Sequence, residues 1–86
     1  MQKHTRIYYK YFDYGMDDVI LCEACHRQAV DIHHINGRGK DKDVIENLMA
    51  LCRKCHDLAN TEKLSRGDLQ LIHNYFLSGN RKQFIK

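Results

Sequence analysis

Two pairs of cysteines with the same short spacing carry the clearest chemical signal in the sequence. They are Cys22-x-x-Cys25 and Cys52-x-x-Cys55. Twinned CxxC loops are typical of a zinc site with four thiolate ligands, in which the coordination is complete and no position remains for water or substrate. Two disulfides or a redox-active pair are alternatives that the spacing leaves open. We predict a structural zinc ion, which would stabilise a chain of this size.

Histidines lie within and just after this frame of cysteines. His33 and His34 are adjacent, and His56 directly follows the second pair. Neighbours on a strand point to opposite faces, but a twisted strand end can present one imidazole to a metal and the other to a substrate. Phosphodiester hydrolysis needs a Lewis acid at the phosphate and a base for the water, and neutral imidazole suits both roles near pH 7. A purely structural role for the histidines is the alternative.

The elements that position these residues can be predicted from local patterns. Residues 29–33 are predicted to form a strand that leads into the histidine pair, and residues 47–51 a second strand. Residues 36–43 are polar and contain two glycines, as expected of a loop between the strands. Residues 53–60 favour a helix. The predicted unit is therefore strand, loop, strand and helix, with a cysteine pair at each edge.

A helix is predicted on each side of this unit. The first covers residues 5–14, with Thr5 as its cap and Gly15 as its stop. Stacking on nucleic-acid bases is one interpretation of its aromatic side chains, but the core is the preferred one: Tyr8, Tyr9, Tyr11, Phe12 and Tyr14. The second begins at a capping box formed by Ser65 and Asp68 and ends at residues 78–80. Its apolar side chains at helical spacing are expected to face the core: Leu69, Ile72, Tyr75 and Phe76.

Length and charge limit the possible functions. The 86 residues suffice for one small α+β domain, 1–86. The first residues lack the apolar run of a signal peptide and no segment is apolar enough to span a membrane, so we expect the reducing cytoplasm. The net charge is +3, and basic residues near the histidines could neutralise phosphates: Arg38, Lys40, Lys42, Arg53 and Lys54. A solvated charged surface is the alternative, and it applies equally to Arg38, which stands between two glycines where its guanidinium could reach a phosphate.

Residues 22–60 resemble the HNH endonucleases, in the subgroup with a four-cysteine zinc site. The resemblance rests on His33-His34, then Asn47-Leu48, then the second CxxC pair with His56, in that order. It implies a ββα-metal fold and cleavage of DNA, by nicking or double-strand cutting, with one divalent ion. It also implies His33 and His56 as ligands of that ion and His34 as the general base. Asn47 would hold the loop and orient His34.

One position departs from the fullest form of this pattern. Some members carry a further histidine one helical turn after His56, where this chain has Asn60. Its amide could ligate the ion, but a helix C-cap is the preferred interpretation. Magnesium, manganese, nickel and zinc all remain possible for the catalytic ion. The resemblance also implies a phage or mobile-element setting, with a partner protein such as packaging machinery supplying specificity. The competing hypothesis is a non-catalytic zinc module that binds nucleic acid or protein.

Overall fold

A two-stranded hairpin followed directly by a helix forms the centre of the molecule. The computed structural model describes residues 2–85, so Met1 and Lys86 of the predicted domain lie outside the described residues. The described elements, in chain order, are α1 (Lys3–Tyr11), β1 (Asp31–His34), a 3-10 turn (Ile45–Asn47), β2 (Leu48–Leu51), α2 (Arg53–Asn60) and α3 (Arg66–Leu77). Within residues 2–85, no helix is both long and apolar enough to cross a membrane. The predicted small α+β fold with a ββα unit and flanking helices is confirmed.

The hairpin places the histidine pair at the end of β1. The strands are antiparallel, and His33 lies opposite Met49 while His34 lies opposite Leu48. All four residues of β2 are buried, so this strand lies within the core. The two strands are shorter than predicted. The first begins at Asp31 rather than at residue 29, and Asn47 belongs to the preceding turn because its side chain is engaged with the loop.

Helix α1 differs from its prediction at both ends. It begins at Lys3 with Gln2 as the N-cap, and no side chain caps it, so the prediction of Thr5 as cap is wrong. It ends at Tyr11, because Asp13 adopts a left-handed conformation (φ 59°) before Gly15 is reached. The aromatic side chains are only partly in the core. Tyr8 is fully buried, whereas Tyr11 is 54% exposed.

Helices α2 and α3 follow their predicted patterns more closely. α2 covers the predicted residues 53–60. The predicted capping box of α3 is present, since Ser65 Oγ accepts the amide of Asp68 and the Asp68 carboxylate accepts the amide of Ser65, each at 3.1 Å. Tyr75 is the exception among the predicted core residues, because it is 42% exposed and lies at the edge of the face whose buried residues are Leu69, Ile72, His73 and Phe76.

A buried polar network joins the elements around the hairpin. The Glu23 carboxylate, which is 1% exposed, accepts from the Tyr8 hydroxyl (2.6 Å) and from His73 Nδ1 (2.7 Å). The other ring nitrogen of His73 donates to the carbonyl oxygen of Ile45 at 2.6 Å. Burial lowers the pKa of His73, but the hydrogen bond and charge of Glu23 outweigh that effect and raise the pKa overall. His73 is therefore an imidazolium in a buried ion pair that connects α1, the first CxxC loop and α3.

Glu23→Gln is expected to destabilise the protein by about 3 kcal/mol, because it leaves the buried His73 without its charged partner. The wild-type contribution should be fully present below pH 6.5, the ordinary pKa of histidine, and should be lost as the pH rises through the raised pKa of folded His73. Urea unfolding measured from pH 5.5 to 9 checks both effects. Glu62→Gln, at an exposed glutamate, is the matched control and should change stability by less than about 0.5 kcal/mol. Equal effects of the two substitutions would contradict the ion pair.

Candidate metal centres and active site

The four cysteines meet between the first CxxC loop and the start of α2. All four are buried free thiols, and their sulfur atoms lie within 4.8 Å of one another: Cys22, Cys25, Cys52 and Cys55. Two of them, Cys25 Sγ and Cys52 Sγ, are 3.4 Å apart. In a tetrahedral zinc site with Zn–S bonds of about 2.3 Å, the sulfurs lie roughly 3.8 Å apart. This cysteine cluster therefore has the size and donor set to bind a structural zinc ion.

The local backbone brings the cysteine cluster together. Cys52 is the N-cap of α2, and its sulfur accepts the amide of Cys55 at 3.4 Å. The first loop closes through the amide of His26, which donates to the Cys22 carbonyl at 3.0 Å, and His26 adopts φ 66° in that turn. Burial raises the pKa of Cys52, but hydrogen bonds from Cys55 and the neighbouring thiols outweigh it and lower the pKa overall. The thiolate form that a metal requires is thus favoured at this position.

The two adjacent histidines contact different helices. The ring of His33 lies 5.3 Å from the ring of His56 on α2, centroid to centroid, in a T-shaped arrangement. The ring of His34 instead lies 4.6 Å from the ring of His4 on α1. This is the alternation expected of neighbours on a strand. It separates the pair into one imidazole beside α2 and one beside α1.

A cavity at the end of β1 nevertheless brings most of the candidate residues together. It has a volume of 310 Å³, and its lining includes Asp31, His33, His34, Arg38 and His56. The predicted base, both predicted ligands from histidine and the arginine of the loop therefore border one space. A phosphodiester group in this cavity would lie near the Arg38 guanidinium and three imidazoles.

His33 and His56 could hold a divalent ion together with Asp31. Asp31 Oδ2 lies 3.6 Å from His56 Nε2, and burial and then the nearby His56 lower the pKa of His33. His33 is therefore neutral near pH 7 and has a lone pair to offer. The ligand atoms of these three residues lie farther apart than those of the cysteine cluster, since they do not all fall within 4.8 Å of one another. Sequence reasoning missed Asp31, although its position two residues before His33 places it on the same face of β1.

Asp43 determines which nitrogen of His34 can act as a base. Asp43 Oδ1 lies 2.8 Å from His34 Nε2, and this hydrogen bond lowers the pKa of the Asp43 carboxyl. A carboxylate can only accept, so Nε2 carries the proton and the lone pair of neutral His34 is on Nδ1. Sequence reasoning missed Asp43 and His4. Both are brought to His34 by the tertiary fold, and no local spacing indicates either contact.

Asn47 holds both ends of the loop that carries Arg38. Its Oδ1 accepts the amide of Asn36 at 2.7 Å. Its amide nitrogen donates to the carbonyl oxygens of Gly37 (3.1 Å) and Lys42 (2.9 Å). The side chain of Asn47 thus accepts one hydrogen bond and donates two to this loop, and Asn47 is only 5% exposed. The loop is thus fixed on the side next to His34.

Asn47→Asp is expected to destabilise the protein by about 2 kcal/mol or more, because a carboxylate cannot donate to the two carbonyl oxygens. One oxygen of the new carboxylate would still accept the amide of Asn36, so only the two donated hydrogen bonds are lost. Urea unfolding measures the effect. Asn80→Asp is the matched control, since Asn80 uses only its oxygen, which accepts the amide of Lys82. An Asn47→Asp variant as stable as Asn80→Asp would show that these bonds contribute little.

The remaining predicted site residue lies to one side. Asn60 is exposed and is the last residue of α2. The C-cap is Thr61, so the preferred interpretation of Asn60 as C-cap is wrong by one residue. Asn60 borders a second cavity, of 640 Å³, together with His33 and His34. His56 does not border that cavity. The structure therefore places Asn60 near the histidine pair and apart from the second histidine ligand.

One comparison with known proteins gives a match. The model of a family described as HNH endonuclease matches residues 22–62, which contain the cysteine cluster, the hairpin and α2. Neither a curated protein nor a solved structure matches the chain. The family predicted from the residues is therefore confirmed over this segment.

Proposed function

Because residues 22–62 belong to the HNH endonuclease family, we propose that the protein is a metal-dependent endonuclease that hydrolyses phosphodiester bonds in DNA. The observation that carries the proposal is the 310 Å³ cavity, in which a base, two imidazole ligands and an arginine border one space. The proposal covers nicking and double-strand cutting alike. The 86 residues are proposed to act as one domain.

His34 is the proposed general base. Its Nδ1 takes a proton from a water molecule, whose oxygen then attacks the phosphorus atom while the bond to the 3′ oxygen breaks. The departing oxygen takes a proton from solvent. Asp43 is a positioning residue, because its carboxylate holds the Nε2–H of His34 at 2.8 Å and stabilises the imidazolium that forms.

His33 and His56 are the proposed ligands of the catalytic ion, with Asp31 as a third and Asn60 as a more distant candidate. Bound there, a divalent ion would act as a Lewis acid on the phosphate and on the leaving oxygen. Two imidazoles and a carboxylate suit zinc, nickel and manganese, and water ligands would make magnesium acceptable as well. A second ion, zinc, is proposed for the cysteine cluster, where four buried thiolates leave no open position.

DNA is the proposed partner. Arg38 is exposed and borders the cavity, so its guanidinium can bind a phosphate beside the reacting one. Sequence preference is proposed to be low, or to be supplied by a partner protein such as phage packaging machinery. Free thiols in the cysteine cluster fit the reducing cytoplasm as the proposed compartment.

Conversion of supercoiled plasmid to open-circle or linear DNA tests the proposal. Protein that retains one tightly bound zinc is assayed with magnesium, manganese, nickel or zinc, and with a chelator too weak to remove the structural ion. We expect cleavage with at least one metal and none with the chelator. Intact plasmid under every condition would instead favour a zinc module that binds nucleic acid or protein without cleaving it.

Asp43→Asn is expected to reduce the cleavage rate at least about tenfold, because an amide can donate to Nε2 and so favour the tautomer with its proton on Nδ1. Single-turnover cleavage at one fixed pH measures the effect. Asp57→Asn, at an exposed aspartate on α2, is the matched control and should cleave at the rate of the wild type. An Asp43→Asn variant as active as Asp57→Asn would exclude Asp43 as the positioning residue.

A further inference from the structure

A second group of ligands lies on the α1 side of β1, apart from the cysteine cluster. The ligand atoms of His4, His34 and Asp43 all lie within 4.8 Å of one another. His34 Nε2 is 2.8 Å from Asp43 Oδ1, and the His4 ring lies 4.6 Å from that of His34. His4 precedes the segment that matches the family, so the family match does not assign this group.

The donor set suits zinc in particular. Two imidazoles and one carboxylate are a common set of three protein ligands for zinc, with the fourth position left to water. His4 is only 5% exposed, and its imidazole offers a nitrogen lone pair when it is neutral. In a tetrahedral site with bonds of about 2.0 Å, ligand atoms lie roughly 3.3 Å apart. The distance of 2.8 Å between His34 and Asp43 therefore needs to open by only a fraction of an ångström.

We propose that His4, His34 and Asp43 form an inhibitory zinc site that inactivates the general base. Zinc binds the lone pair of His34 at Nε2, so the single proton of the neutral ring must reside on Nδ1. No proton is gained or lost overall, since it leaves Nε2 for solvent while another is taken up at Nδ1. The nitrogen that would accept a proton from water has become an N–H donor. The binding half of this inference stands alone, and the inhibitory half rests on the proposed function.

This site is distinct from the proposed catalytic ion site. His33 and His56 lie on the α2 side of β1, and His34 contacts His4 on the α1 side. Each group can therefore be removed without removing a ligand of the other. That separation makes a direct binding experiment possible.

Equilibrium dialysis with Zn²⁺ tests the binding half. In the His33→Ala/His56→Ala background, we expect the tight zinc of the cysteine cluster plus one further equivalent. Adding His4→Gln should abolish the further equivalent, whereas adding His26→Gln, at the histidine of the first CxxC loop, should preserve it. His56→Ala alone is the background to use should the double variant melt early. The site is overturned when the further equivalent of zinc is still bound after His4→Gln is added. It is also overturned when the background variant, before His4→Gln is added, binds no further equivalent.

Cleavage supported by magnesium, with increasing Zn²⁺, tests the inhibitory half. Wild type and His26→Gln should be inhibited at the same zinc concentration, and His4→Gln should require at least about tenfold more, each compared with its own zinc-free rate. Equal inhibition of His4→Gln and wild type would overturn the inhibitory role. If wild type cleaves nothing, the proposed function and the inhibitory role fail together, and dialysis still decides whether the zinc site exists.

Discussion

Cys52→Ser is expected to abolish cooperative folding and the tight binding of zinc. Cys52 is buried and belongs to the cysteine cluster, so its replacement removes a zinc ligand, whereas serine at the N-cap of α2 can still accept the amide of Cys55. Structural zinc binding contributes about 10–16 kcal/mol in small zinc-binding peptides. That is comparable to the total stability of about 5–15 kcal/mol that is typical of a domain. The far-ultraviolet melting curve and the zinc content of purified protein measure the effect.

Two controls separate zinc loss from a general packing defect. Removing zinc from the wild type with a strong chelator should give the same unfolded spectrum as Cys52→Ser. His26→Gly, in the first CxxC loop, should keep its zinc and its melting transition, since glycine adopts the positive φ of that position readily. A Cys52→Ser protein that melts cooperatively without zinc would refute the scaffold role of the cysteine cluster.

His34→Ala is expected to reduce the rate of DNA cleavage about 10²- to 10⁴-fold, the usual contribution of a general base. The four cysteines and the hydrogen bonds of Asn47 are untouched by this change, so zinc content and the melting transition should be retained. The expected loss of stability is small, about 1–2 kcal/mol, from one hydrogen bond and one ring contact. Single-turnover cleavage of an end-labelled duplex measures the rate. His26→Gly is again the matched control, with an expected rate close to that of the wild type.

The parts of the molecule predictable from sequence are those determined by short-range spacing. The spacing within each CxxC loop predicts a pair of sulfur atoms that can bind one ion. The structure brings both pairs together: Cys22, Cys25, Cys52 and Cys55. The capping box of α3 and the limits of α2 follow from local hydrogen bonding and propensity, and both are confirmed. In contrast, the C-terminal end of α1 is followed by a left-handed residue, Asp13, whose residue type tolerates that conformation without requiring it.

Contacts between distant segments were not predictable. Glu23 and His73 are 50 residues apart and form a buried ion pair, although glutamate is a residue type usually found at the surface. Asp43 and His4 reach His34 from opposite directions along the chain, through the loop and through α1. Tyr75 also depends on the tertiary fold. Its helical spacing predicts burial, but it lies at the edge of the buried face of α3 and is exposed.

We propose that His34 acts as a base in a folded, zinc-loaded endonuclease. The most direct test of this role is the nicking of supercoiled plasmid by wild type and His34→Ala, each first shown to contain one tightly bound zinc and to melt cooperatively. With the same divalent metal, the wild type should convert the plasmid to open circle while His34→Ala leaves it supercoiled over the same period. Equal conversion by the two proteins, or none by the wild type with any metal, would contradict the claim.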